Sequence, residues 1–415
     1  MLSPDFIPQK PFNEFKWRWA TLQCTEGLND PVVLLGVLFR MRKLELTGKN
    51  YKYSSDVFAN ELRELSTDIK DSIGINLAER TGNRNLIRNS GQYWRAVGLL
   101  AADNKTGRIN LTDFGREIAD RSISQTEFAA ITIQTFELPN SKIQKNEYIA
   151  IWEKHRLRIH PFRLLLQILR ALRKSCGDEQ GFVTPTELTK IIVPLSGCAV
   201  QIEDYVAFII RHRQKKLDLS KWPNCVPDAN DFRMAREFLL FLSYYGYLNK
   251  SGVEGRKSEK YSYNDNLDAE IEILLSIPPP QSSVEQLRTT NATSDIERKR
   301  IHTSRPNQAK FRKEILKKFE RCVITNVTMP EVLEAAHIKP FKYKGEDTVA
   351  NGFAMRLDIH LLFDAGHLRI SDSGKVDLSA RARLDYGATI PPGIVLPECT
   401  NRDFLRWRWE NYDGI

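Results

Sequence analysis

The 415-residue sequence has no apolar run of about 18 residues, so no membrane-spanning helix is expected. Its start, Met1-Leu2-Ser3-Pro4-Asp5-Phe6, lacks a charged segment leading into an apolar stretch, so no secretory signal is expected. Cysteine is sparse: six residues, of which the nearest two, Cys176 and Cys198, stand 22 positions apart. That spacing excludes a dense disulfide framework, and with no CxxC pair no structural zinc is expected. Reduced thiols in a cytoplasmic, prokaryotic setting are the expectation. No strict internal repeat is present. Histidine is also scarce, and three of the seven fall between positions 337 and 367.

What is present fits a soluble chain of several domains. Hydrophobic residues make up 41% and charged residues 27%, ordinary values for a globular protein. The net charge of +9 favours a polyanionic partner, although charge alone does not separate DNA from RNA or an acidic protein.

The informative stretch is Glu334-Ala335-Ala336-His337-Ile338, then Asn351-Gly352, then His360-Leu361-Leu362-Phe363-Asp364. It reads as a His on one strand, an Asn on the next, and a His opening a short helix. His360 and Asp364 are four apart, so they share a helical face. The intervening Leu-Leu-Phe would pin that helix to a core. Together with Phe311-Arg312, Leu316 and Cys322-Val323-Ile324-Thr325 upstream, this ordered run resembles the HNH endonucleases, the ββα-metal or His-Me finger group, over roughly residues 305–400.

The resemblance implies a phosphodiesterase that needs an activated water, a cation on the phosphoryl oxygens and help for the leaving oxygen. It makes His337 the general base, a role that a reference pKa near 6.5 suits. Asn351 would orient the loop between the strands, and His360 would hold a divalent metal, Mg²⁺ or alternatively Mn²⁺. One position departs from the common pattern: many members carry a metal-binding Asp or His just before the base, where this chain has Ala336. Asp364 is then the expected second ligand, its bland alternative being a carboxylate that satisfies the backbone at the helix end. Glu334 is a weaker substitute, being three positions from His337 on a strand. Cys322 reads as a small core residue, His367 as a strand-edge residue, and Lys339 and Arg356 as flanking cations.

Upstream, residues 298–321 hold ten Lys or Arg against Glu314 and Glu320, a local charge of +8. The run follows Pro278-Pro279-Pro280-Gln281-Ser282-Ser283 and a polar stretch that reads as a linker. A catalytic module entered through a basic helix at about 307–320 is expected, with Lys310, Arg312 and Lys313 as phosphate contacts.

The front three-quarters show no comparable cluster. Helical segments at 56–65 and 85–100 precede a turn at Asp103-Asn104-Lys105-Thr106-Gly107, a strand at 108–111 and a helix capped by Thr112. That is the order of a winged helix, with Arg84, Arg88 and Arg95 on or beside its recognition helix. A second such unit is read from helices at 162–175 and 232–245 and a hairpin at 246–263, with Thr184-Pro185 opening a helix between them. The expected fold is multidomain and mainly α with small β hairpins: winged-helix-like domains at 1–155 and 156–277, a linker at 278–304 and an HNH nuclease domain at 305–415. Through Trp17-Arg18-Trp19-Ala20, Asp30-Pro31-Val32 and 108–115, the front region loosely resembles recognition portions of type IIS restriction endonucleases.

Two classes of function compete. A site-specific nuclease would cut double-stranded DNA, with transient homodimerisation on the duplex and a cognate methyltransferase protecting the host. A DNA-binding regulator would carry a non-cutting HNH unit, but a degenerate site should have lost His337, Asn351 or His360, and all three are present. Within the enzyme class the alternative is a modification-dependent or partner-gated defence nuclease.

Overall fold

The structure is a computed structural model that describes residues 2–15, 30–74, 90–101, 107–227, 229–253, 259–279, 308–340 and 343–411. It is mainly helical, with small antiparallel hairpins. The first helices are α1 (Pro31–Leu46), α2 (Asp56–Ile73), α3 (Ser90–Ala96), α4 (Asp113–Ala119), α5 (Gln125–Thr135), α6 (Asn146–Lys154) and α7 (Pro161–Cys176). Then come strand β1 (Phe182–Val183), helical residues 185–196 (α8), α9 (Ile202–Arg213), α10 (Ala229–Tyr244), β2 (Leu248–Ser251), β3 (Lys260–Tyr263) and α11 (Asp268–Ser276). The last part holds α12 (Gln308–Lys318), β4 (Leu333–His337), β5 (Gly352–Arg356) and α13 (Leu357–Asp364). It ends with β6 (Leu368–Ile370), β7 (Val376–Leu378), α14 (Ala380–Tyr386) and α15 (Arg402–Asn411). No described helix is long and apolar enough to cross a membrane.

Contacts divide the chain into two units, and the division differs from the domains drawn on the sequence at 1–155, 156–277, 278–304 and 305–415. One unit comprises 1–24, 89–97 and 132–287; the other comprises 25–88, 98–131 and 288–415.

In the first unit α7 buries Phe162, Leu165, Leu166, Ile168, Leu169 and Leu172 on one face, the stripe expected from its 3.6-residue periodicity. Phe162 meets Phe238 and Phe241 of α10 at ring-centroid distances of 4.9 and 4.6 Å. Thr184 opens α8 with a reciprocal cap to Glu187, as its Thr-Pro-Thr-Glu sequence foretells. The sheet order is β1-β3-β2, all antiparallel, with Leu248 opposite Tyr263 and Val183 opposite Tyr261. The hairpin expected at 246–263 is therefore present. Arg95 lies half-buried on α3, whereas Arg84, Arg88, Trp17 and Trp19 lie outside the described residues.

In the second unit α1 and α2 pack together, each capped at its N-terminus, by Asp30 and Ser55 respectively. Among the described residues, the strand expected at 108–111 forms isolated bridges, Lys52 to Arg108 and Leu100 to Leu111, and no ladder. Thr112 does cap α4, accepting the Gly115 N–H at 3.0 Å. The C-terminal part builds the ββα arrangement: β4 and β5 pair antiparallel, with His337 opposite Gly352, and α13 follows directly. Its core gathers Cys322, Ala336, Phe353, Met355, Ile359, Phe363 and Leu405. Gly352 is required there, because a Cβ would lie 2.5 Å from Ile315 and 2.7 Å from the Phe311 ring of α12.

The same unit joins the segment before residue 131 to the C-terminal part through polar bonds. Arg312 on α12 is 4% exposed, donating to the Ser122 carbonyl at 2.5 Å and pairing with Glu127 at 2.5 Å. Arg121 donates to the Pro330 carbonyl, and Arg40 of α1 pairs with Glu331 at 3.3 Å. Arg312 is thus an anchor between segments, not the exposed phosphate contact that its place in a basic run suggested; Lys310 and Lys313 on the same helix are exposed. Arg312→Ala strands Glu127 and a carbonyl and should lower unfolding free energy by about 2–3 kcal/mol in urea titrations. Lys313→Ala should stay within about 0.5 kcal/mol of wild type; equal effects would remove the anchor assignment.

Candidate active site

The site lies where the end of β4, the turn before β5, and α13 converge. His337 is the last residue of β4, and its Nε2–H donates to Asp347 Oδ1 at 2.8 Å. That bond makes Nδ1 the lone-pair nitrogen of the neutral ring. The ring stacks on Phe311, centroids 3.9 Å apart and planes 17° apart, so α12 turns an apolar face to the site while its lysines face out. Burial pushes the His337 pKa below 6.5, against the opposing pull of Asp347, so the ring is neutral at pH 7.

Asn351 ends the turn Val349–Asn351 just before β5, one residue short of the strand expected for it. It is fully buried, and its side chain spans the loop after β4. Oδ1 accepts the Lys339 N–H at 2.8 Å, while Nδ2 donates to the carbonyls of Lys339 at 2.9 Å and Glu346 at 2.8 Å. These bonds tie Lys339 to Glu346, and Asp347 follows Glu346 to meet His337. An amide is the only neutral side chain with both the donors and the acceptor needed here.

His360 sits in the fourth position of α13, not at its opening, and its ring is buried between two carboxylates. Nε2 lies 3.1 Å from Asp364 Oδ2, the i,i+4 neighbour, and Nδ1 lies 3.2 Å from Glu334 Oε2. Glu334 therefore reaches His360 from the strand, which its separation from His337 did not reveal. Its other oxygen accepts the N–H of Gln125 at the start of α5, at 2.8 Å. Burial alone would push the His360 pKa down, but Asp364 and Glu334 outweigh it and hold it at about 10. Burial likewise favours a neutral Asp364, but His360 and Arg408 prevail and keep it ionised.

A His whose folded pKa lies above its ordinary 6.5 contributes stability below that value and loses it as pH rises through about 10. In EDTA, the melting temperature should fall between pH 7 and pH 10, and a His360→Gln variant should fall less across that window. Parallel curves would exclude the pair as a stability element.

The donor set suits a hard divalent cation in part. An imidazole nitrogen and a carboxylate oxygen converge, and Asp364 is 30% exposed while His360 is 6% exposed, so the pair opens on the carboxylate side. A cation would replace the proton that they share, and Glu334 would hold Nδ1–H as an outer partner. Among the described residues no cluster of three or more His, Cys, Asp or Glu has metal-holding geometry, so two protein ligands would leave positions for water and phosphate oxygen.

Several site residues were not visible in the sequence. Asp347 is one acidic residue in a polar loop and carries no signal. Arg408 had a faint one, as a cation spaced three from Leu405 on the buried side of α15. Of the flanking residues, Arg356 pairs with Asp358 at 2.6 Å, Lys339 lies over the Trp407 ring at 5.0 Å, and buried His367 bonds Ser379 at 3.0 Å. Cys322 is a core residue, and the five described cysteines form no disulfide.

Comparison with known proteins agrees with the geometry. Residues 322–371 match the family model described as HNH endonuclease. No curated protein matches the chain. Among solved structures, the chain is similar to a crystal structure of pyrene- and phenanthrene-modified DNA in complex with the BpuJ1 endonuclease binding domain. That similarity has 13% identity and a TM-score of 0.37, covering 57% of this chain and 82% of the other, and bears no functional weight.

Proposed function

We propose that this chain, with an HNH endonuclease domain at 322–371, is a site-specific DNA endonuclease of the type IIS restriction kind. The carrying observation is that the matched segment keeps His337 with Nε2 committed to Asp347, and a His360–Asp364 pair on the adjacent helix.

In this reading His337 Nδ1 takes a proton from water, whose oxygen attacks phosphorus, and the 3′ oxygen departs to leave a 5′-phosphate. Asp347 keeps the ring in the reactive tautomer and stabilises the imidazolium that forms. Asn351 holds the loop that carries Asp347. A divalent cation on His360 and Asp364, Mg²⁺ or alternatively Mn²⁺, would neutralise the phosphate and the departing oxygen.

Double-stranded DNA is the substrate proposed on the +9 charge and the exposed Lys310 and Lys313 of α12. The helix and hairpin order of 161–263 supports a winged-helix reader. Arg84, Arg88 and Arg95 remain candidate contacts for the front region. A single site cuts one strand, so a break in both calls for a transient homodimer or two visits, and a cytoplasmic host needs a cognate methyltransferase.

Sequencing the ends after incubation with unmodified plasmid and Mg²⁺ tests this. Cuts at a fixed offset from one shared motif are expected. Cutting confined to methylated or glucosylated plasmid would instead support the modification-dependent reading.

A further inference from the structure

The family match ends at residue 371, yet a residue far beyond it reaches the site. Arg408 of α15 is 1% exposed. Its Nη1 donates to the carbonyls of Ile338 at 2.9 Å and His337 at 3.4 Å, and its Nη2 donates to the Phe363 carbonyl. Nη2 also lies 3.6 Å from Asp364 Oδ1, the oxygen that does not face His360. The guanidinium covers the Phe363 ring at 3.6 Å from its centroid. One rigid, planar cation thus ties the end of β4 to the end of α13. A lysine would not reproduce this, because its three donors radiate from one nitrogen, whereas Arg408 reaches three carbonyls and a carboxylate from two.

We infer that Arg408 is a positioning residue of the active site, fixing the base-bearing end of β4 against Asp364 and turning that carboxylate toward His360. The C-terminal helix is then part of the catalytic apparatus and not only a cover for the core. The inference rests on the nuclease reading for its catalytic consequence, but the placement itself is a property of the protein without metal or DNA.

The test compares Arg408→Lys with Leu405→Ala, which truncates an apolar core side chain on the same helix and carries no polar group to the site. Ring nitrogen NMR signals of His337 and His360 in the metal-free protein report the placement directly, and calorimetry reports Mn²⁺ affinity. Arg408→Lys should shift both ring signals, weaken Mn²⁺ binding several-fold and lower kcat at least tenfold with KM for DNA unchanged. Leu405→Ala should lower the melting temperature but leave rings, Mn²⁺ affinity and KM at wild-type values. If Arg408→Lys does not fold, Arg408→Gln, which keeps an N–H donor for the carbonyls, should move the same signals. Unmoved ring signals in the folded variant would overturn the inference. An unsubstituted chain that does not cut would count against the nuclease reading, while the ring signals still decide the placement.

Discussion

Replacing His337 with alanine is expected to lower the DNA cleavage rate by about 10²- to 10⁴-fold, the usual range for losing a positioned proton acceptor. Affinity for DNA should not change, because the ring is buried against Phe311 and its outward neighbours remain. The pH profile of the unsubstituted chain should match. Burial lowers the His337 pKa, so activity should hold through pH 7 and decline only below 6.5. Asp347→Asn should also lower the rate, because the amide can present an N–H to Nε2 and select the unreactive tautomer. Full activity in His337→Ala would remove the base assignment, and full activity in Asp347→Asn would remove the dyad.

The second large effect concerns folding. Residues 305–415, drawn from the sequence as a module on a linker, are expected not to reach a native state alone. In the second unit they share buried polar bonds with residues 25–131. Arg312 would lose Ser122 and Glu127, Glu331 would lose Arg40, and Glu334 would lose the Gln125 N–H that holds it toward His360. Each then meets water in place of its partner, and the net contribution of a hydrogen bond to a charged group, about 1.5–3 kcal/mol apiece, is lost together with the cover that the missing segment supplied. Their sum is comparable to the whole stability of a typical domain, about 5–15 kcal/mol. Circular dichroism and proton NMR on the fragment should show lost tertiary packing, restored when residues 25–131 are supplied. A fragment that melts cooperatively near the full chain's temperature would show the module to be independent.

The ββα core was legible because its signals are local. The Asn-Gly at the start of β5 and the i,i+4 spacing of His360 and Asp364 depend on a few neighbouring residues, and the structure has both. Helix starts at Thr112 and Thr184 were legible for the same reason. What escaped depends on distant parts of the chain. Arg312 looked like a phosphate contact because charge runs do not reveal which face of a helix is buried. Glu334 looked misplaced on strand geometry, yet it reaches a residue on another element. Arg408 stands 71 positions from His337, beyond any motif spacing. Of the turn expected at 103–107, residues 103–106 lie outside the described residues, and among the described ones beside it Arg108 and Leu111 make single bridges.

Supercoiled plasmid DNA mixed with the purified chain separates a phosphodiester-cutting site built on His337 and the His360–Asp364 pair from a fold that only binds. With Mg²⁺ or Mn²⁺ the plasmid is expected to convert to nicked and then linear forms, stopped by EDTA and slowed by about 10²-fold or more in the His360→Ala and His337→Ala variants. Plasmid that binds the chain but stays supercoiled in every divalent cation, methylated or not, would contradict it and leave a DNA-binding protein with an HNH fold.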